Sequence, residues 1–101
     1  MKEADFGSFV EDAFDLYEWR WTHFRPAINQ RGRWMTALSG AKGWPDYAAC
    51  RAERFLVAEL KSDKGKLSPE QTEWRDGLVM AGIEYHLWRP SDASVVLSCL
   101  K

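Results

Sequence analysis

The apolar positions Phe6, Phe9, Val10, Ala13, Phe14 and Tyr17 recur at spacings of three and four, which predicts an amphipathic helix over about residues 3–18. At about 100° per residue, Glu3 falls within the angular spread of that apolar stripe. Asp5, Glu11, Asp12, Asp15 and Glu18 point away from it. WRWTHFR alternates weakly and reads as a strand over 19–25, stopped by Pro26, and the glycine-bearing stretch 29–43 reads as a long loop. PDYAAC and RFLVAELK read as neighbouring strands joined by a tight turn at 51–53. Alternation in the second places Phe55, Val57, Glu59 and Lys61 on one face.

Beyond the loop SDKGK, Ser68 is followed by Pro69 and then Gln71, which together make an N-cap, a proline in the first turn and a capping-box partner. The helix that starts there is expected to bury Trp74, Leu78 and Ala81 and to stop at Gly82. IEYHLW alternates as a further strand, and RPSDASVVLSCL gives a proline break, a Ser91 or Asp92 cap and a short final helix. The order helix, three strands, helix, strand, helix implies an α/β fold, a mixed sheet flanked by helices. No repeat, low-complexity tract or internal linker divides residues 1–101, so one domain is expected.

Composition narrows the class. With 46% hydrophobic and 14% aromatic residues the chain has ample material for a packed core, which argues against disorder. No apolar run approaches the roughly 20 residues that span a bilayer. The N-terminus MKEADFGSFVED is too acidic for a signal peptide, so a cytoplasmic protein with no membrane partner is expected. Cys50 and Cys99 form no CxxC pair and lie at no zinc-ligand spacing from the histidines, and they are expected as buried free thiols.

The net charge of −1 conceals an asymmetry. Residues 1–18 carry six acids against one lysine, whereas residues 19–45 carry Arg20, Arg25, Arg31, Arg33 and Lys42 and no acid. This basic island is either a solvated surface or a phosphate-binding one, and Trp19, Trp21 and Trp34 within it either stack on bases or pack in the core.

The candidate chemistry lies at the end of the RFLVAELK strand. Glu59 and Lys61 side by side, with Asp46 on the adjacent strand and Glu3 from the inward helix face, make a cluster suited to a hard divalent cation and to phosphodiester hydrolysis. The plainer alternative is a strand-end salt bridge between Glu59 and Lys61 with Asp46 as a turn residue.

The combination of GWPD, ELK twelve residues later, GKLSPEQTEW and YHLWRPSD resembles the PD-(D/E)xK nuclease superfamily, specifically the stand-alone, phage-type form of the virus-type replication-repair nuclease (VRR-NUC) family. The resemblance covers most of the chain and implies a restriction-endonuclease-like fold with a mixed four-stranded sheet. It implies a Mg²⁺-dependent endodeoxyribonuclease, with Mn²⁺ as substitute, that resolves branched DNA such as four-way (Holliday) junctions as a homodimer. It makes Asp46, Glu59 and Glu3 the metal ligands, Lys61 the catalytic lysine and Gln71 a helix glutamine bordering the site. Gly7 and Phe9 stand where the family places a polar residue, and 26–43 is longer than in a minimal member.

With that family in view, Arg25, Arg31, Arg33, Lys42, Lys64 and Lys66 become candidate DNA contacts, read as phosphate rather than base contacts. His23 reads as a hydrogen-bonded structural residue or one approaching the site, and His86 as ordinary strand surface. The dimer interface is sought on the exposed side of the tryptophans and on the final helix, with Val95, Val96 and Leu100, although these equally suit the monomer core. Rival readings are a less selective endonuclease or nickase, a catalytically silent DNA-binding module, and an interaction domain without metal or DNA affinity.

Overall fold

A computed structural model describes residues 1–24, 27–28, 34–35 and 39–101, with Glu3 and the two dipeptides described by backbone alone. Helix α1 (Glu3–Leu16) buries Phe6, Val10, Ala13 and Phe14, the stripe expected from the spacing. It ends earlier than expected because Glu18 turns to φ 62°, while Glu18 N donates to Asp15 O and Trp19 N to Phe14 O. That paired closure is a Schellman-type stop, here made without glycine.

Strand β1 (Arg20–His23) is shorter than predicted. The expected loop 29–43 contains a short strand, β3 (Trp34–Met35), paired antiparallel with β2 (Ala27–Ile28) just before it, which is a correction to the loop reading. Two-residue strands are too short to leave an alternation in the sequence. Arg25, Arg31 and Arg33 lie outside the described residues.

Strands β4 (Tyr47–Arg51) and β5 (Arg54–Leu60) form a hairpin, and β6 (Glu84–Trp88) runs parallel to β5 after helix α2 (Pro69–Met80). The four-stranded sheet has the order β1-β4-β5-β6 and is mixed, as expected. A 3₁₀ turn at Pro90–Asp92 leads into helix α3 (Ala93–Leu100).

Helices α1 and α3 share one face of the sheet, where Phe6, Val10, Phe14, Val96 and Leu100 meet Trp19, Tyr47, Leu56, Ala58 and Trp88. Trp19 is therefore a core residue, its indole N–H donating to Leu100 O across 2.9 Å. Val96 and Leu100 are fully buried in the same core, leaving only Val95 of the suggested interface trio facing outward.

Helix α2 starts with the expected capping box: Gln71 N donates to Ser68 Oγ, and Ser68 N to Gln71 Oε1. It buries no residue fully: Trp74 and Leu78 are half-buried and Ala81 is exposed, contrary to expectation. Trp74 packs edge-on against Trp44 and donates its indole N–H to the carbonyls of Ala41 and Lys42, so it anchors the loop before Asp46. Gly43 makes that docking possible, with φ +101° and a would-be Cβ only 2.7 Å from the backbone of Glu70.

Cys50 is exposed and Cys99 half-buried, both free, so the expectation of buried thiols is overturned. The solvent-facing end of β4 exposes Cys50, and Cys99 lies beside polar groups of β6. Arg54 clamps Glu84 through two hydrogen bonds, of 3.1 and 2.6 Å, and this pairing holds the Glu84 carboxyl down at about 2. No helix among the described residues is long and apolar enough to cross a membrane.

Candidate active site

The hairpin register assembles the site. Tyr47 pairs with Ala58, which puts Asp46, one step before the strand, level with Glu59. Asp46 is fastened at its backbone and at its side chain. Phe24 N, just beyond β1, donates to the Asp46 carbonyl and Leu60 N of β5 donates to Asp46 Oδ2, each across 2.8 Å, so β5 holds the carboxylate while the chain after β1 holds its backbone.

Glu59 is only 3% exposed, the single buried charged residue among those described. Burial, followed by the Asp46 carboxylate against it, drives its carboxyl well above the ordinary carboxylate range, with Lys61 acting in the opposite direction. Gln71 reaches the same group, donating from Nε2 to Glu59 Oε1 across 3.3 Å. The glutamine thus caps its helix with one side-chain atom and touches the buried acid with the other.

Tyr85, neighbouring on β6, is pushed up to about 12 by burial and by the charge of Glu59. It shares the alternation face of Val57 and Glu59, because the parallel register sets Tyr85 beside Val57. Lys61, half-buried, extends β5, and its backbone N–H donates to Trp88 O. Beyond it, Arg89 Nη1 donates to the carbonyls of both Ser62 and Gly65 at 2.6 Å, which ties the lysine-bearing loop to the end of β6.

On the α1 side, Asp46 opens into a cleft of about 440 Å³ lined by Ala4, Gly7, Ser8, Glu11, His23 and Tyr47 among others. Here the sequence reading needs correction. Glu11 does not face solvent alone: Tyr47 donates its hydroxyl hydrogen to Glu11 Oε2 across 2.5 Å, and His23 Nδ1 lies 3.4 Å from the same oxygen. His23 stacks on Tyr47 with ring centres 4.2 Å apart. The helical stripe alone could not reveal this, because the residues that receive Glu11 come from β1 and β4. Glu3 opens α1 immediately before Ala4 of this cleft, and its side chain lies outside the described residues.

Of the expected DNA contacts, Lys64 and Lys66 are exposed on the loop that Arg89 holds. Lys42 is also exposed and lies 3.5 Å from Glu70 at the start of α2. The structure therefore brings Asp46, Glu59 and Gln71 together, sets Lys61 at the same strand end, and arrays three of the six named cations on adjoining loops.

The donor set fits a hard divalent cation. Burial, followed by the neighbouring Asp46 carboxylate, makes a bare Glu59 carboxylate unfavourable, and a cation held between the two groups would offset that. All the ligand atoms that Asp46 and Glu59 offer are oxygen, the choice of Mg²⁺ and Mn²⁺.

Fold and site together define an α/β domain, a mixed four-stranded sheet flanked by helices that gathers two carboxyl groups at one strand end. A solved structure described as a VRR_NUC domain is similar over 95% of this chain and 94% of its own, with a TM-score of 0.66 and 14% sequence identity. At that identity the likeness is one of fold. No family model matches the sequence, and no curated protein does either.

Proposed function

We propose that this protein is a divalent-metal-dependent DNA endonuclease, selective for branched substrates and acting as a homodimer on four-way junctions. The observation that carries the reading is the buried Glu59 carboxyl pressed against Asp46 at the strand end occupied by Lys61. A pair of carboxylates placed at such cost in hydration is hard to justify as a surface salt bridge.

Asp46 and Glu59 would hold Mg²⁺ or Mn²⁺, with Glu3 as a third ligand. When bound, the metal supplies Lewis acidity to the phosphate and lowers the pKa of a water. The chain's own residues do the rest. Gln71 fixes the rotamer of Glu59, and the Leu60 N–H fixes that of Asp46, so neither carboxylate must reorganise. Lys61 holds the attacking water and counters charge that grows on the phosphate oxygens in the transition state. Lys42, Lys64 and Lys66, with Arg25, Arg31 and Arg33, contact backbone phosphates, which supports selection by shape rather than by sequence. Symmetric cutting of a junction calls for two sites related by a two-fold axis. A cytoplasmic location follows from the same reading.

The test is cleavage of labelled four-way junction, flap, linear duplex, single-stranded DNA and RNA in Mg²⁺, Mn²⁺ or chelator. Paired symmetric cuts in the junction that require metal are the expected result. Salt-sensitive binding without cleavage of any substrate would replace the proposal with a silent DNA-binding module.

A further inference from the structure

The sheet face opposite Glu59 carries a second constellation of different chemistry. Glu84 and His86 alternate onto one side of β6, and Cys99 of α3 lies above them. His86 Nε2 is 2.7 Å from Glu84 Oε2, Cys99 Sγ is 3.5 Å from His86 Nε2, and Cys99 Sγ is 3.9 Å from Glu84 Oε2. All three residues are half-buried.

Those separations are close to what tetrahedral coordination imposes. Zn–S and Zn–N bonds of about 2.3 and 2.0–2.1 Å at a tetrahedral angle set the ligand atoms about 3.3–3.5 Å apart. The sulfur–imidazole pair already has that spacing. The carboxylate needs a movement of only about half an ångström to widen its imidazole contact. One sulfur, one nitrogen and one oxygen make a borderline donor set that favours Zn²⁺ over Mg²⁺, unlike the all-oxygen pair at Asp46 and Glu59.

The surroundings are those of a supported site. His86 stacks on Trp88 with ring centres 5.0 Å apart and 18° between planes, which sets the direction of Nε2. Arg54 grips both Glu84 oxygens, and its Nη2 lies 3.5 Å from Cys99 Sγ while Nη1 donates to Cys99 O. Arg54 in turn lies over the Trp19 ring at 5.0 Å. A carboxylate, a thiolate and a neutral imidazole balance the charge of Zn²⁺, and the guanidinium remains outside as a hydrogen-bond donor to the ligands.

We propose that Glu84, His86 and Cys99 form a Zn²⁺ site, with water as the fourth ligand, that links the edge strand β6 to the C-terminal helix α3. Binding forms a Zn–S bond and releases the Cys99 thiol proton to solvent. The site is independent of the Asp46–Glu59 centre, being on the other side of the sheet.

The test uses a chain carrying Asp46→Asn and Glu59→Gln, so that the oxygen site no longer takes up metal. Titration with Co²⁺ is expected to give one equivalent of tetrahedral ion with a thiolate-to-metal charge-transfer band, displaced by Zn²⁺ and not by Mg²⁺. Cys99→Ser should abolish the band. His86→Gln should weaken Zn²⁺ binding by more than the roughly 100-fold upper range for losing an outer-shell partner.

A second measurement does not depend on those variants folding. In Cys50→Ser protein, Zn²⁺ should slow modification of Cys99 by a thiol reagent at least about tenfold, as a bound thiolate is withheld from attack. Mg²⁺ should leave that rate unchanged. Co²⁺ bound without a sulfur band, or a Cys99 rate indifferent to Zn²⁺, overturns the proposal.

Discussion

Gln71 donates to Glu59 across 3.3 Å while its own side-chain oxygen accepts from the backbone N–H of Ser68. A single residue therefore joins the start of α2 to the buried carboxyl at the end of β5. The two roles separate by substitution. Gln71→Glu keeps an acceptor for the cap but sets a second carboxylate against Glu59, whereas Gln71→Ala removes both contacts.

For Gln71→Ala we expect a loss of about 1 kcal/mol in stability from the broken capping box, together with reduced cleavage. Gln71→Glu should cut cleavage while costing less stability than the alanine variant. Urea unfolding and junction cleavage measured on the same preparations check this. Unchanged cleavage in both variants would confine Gln71 to its cap.

Lys61→Ala should lower the cleavage rate by about 10²–10³-fold or more, the scale of losing one group that stabilises transition-state charge. Junction binding and melting temperature should change little, since the side chain is half-buried and the backbone bond to Trp88 remains. Single-turnover kinetics with enzyme in excess separate the chemical step from binding.

The pH dependence follows from Glu59. Its folded-state proton affinity is raised above the unfolded value, mainly by burial, so in metal-free conditions the folded protein holds a proton that the unfolded chain has released. Stability should therefore be fullest below about pH 4.5 as far as this group is concerned and decline as pH rises, by at most about 1.4 kcal/mol per unit for one proton. Glu59→Gln should flatten that decline, and so should saturating Mg²⁺. Denaturant melts in chelator from pH 5 to pH 8 are the measurement, and a metal-free stability that rises over this span would contradict the assignment.

Gly43→Ala tests the docking of the GWPD loop. An added Cβ would meet Glu70 backbone at 2.7 Å, at a φ of +101° that an L-residue resists. Destabilisation of about 1–3 kcal/mol is expected. Cleavage should fall with it, because the same loop leads directly into Asp46. Thermal melts and cleavage assays report the two effects.

Local signals in the sequence were sufficient for most of the frame. The capping box at Ser68 and Gln71 and the alternation of Phe55, Val57, Glu59 and Lys61 depend on neighbours within a few positions, and both elements formed as expected. The Asp46–Glu59 pairing was legible because a tight turn leaves the hairpin only one simple register. What escaped were features made by distant segments. Glu11 looked solvent-facing until His23 and Tyr47 arrived from the sheet, and His86 looked like plain surface until α3 laid Cys99 beside it. Trp74 is expected in the interior beside Leu78 and Ala81, yet it spends its ring and its N–H on the loop at 41–44. Hydrophobicity records that a side chain will be covered, and not by what.

The turn at Ala52 and Glu53 joins Arg51 to its partner Arg54, with Ala52 at φ 54°. It lies six strand positions from Asp46, roughly 20 Å along the ribbon. Yet this remote tip acts as the gauge that decides which residue stands opposite Glu59. One residue inserted there and absorbed by sliding β4 would bring Pro45 or Tyr47 level with Glu59 and turn every β4 side chain to the wrong side of the sheet. The hairpin tip is thus a place where length, rather than chemistry, is under constraint, and where a change touching no carboxylate would still dismantle the carboxylate pair.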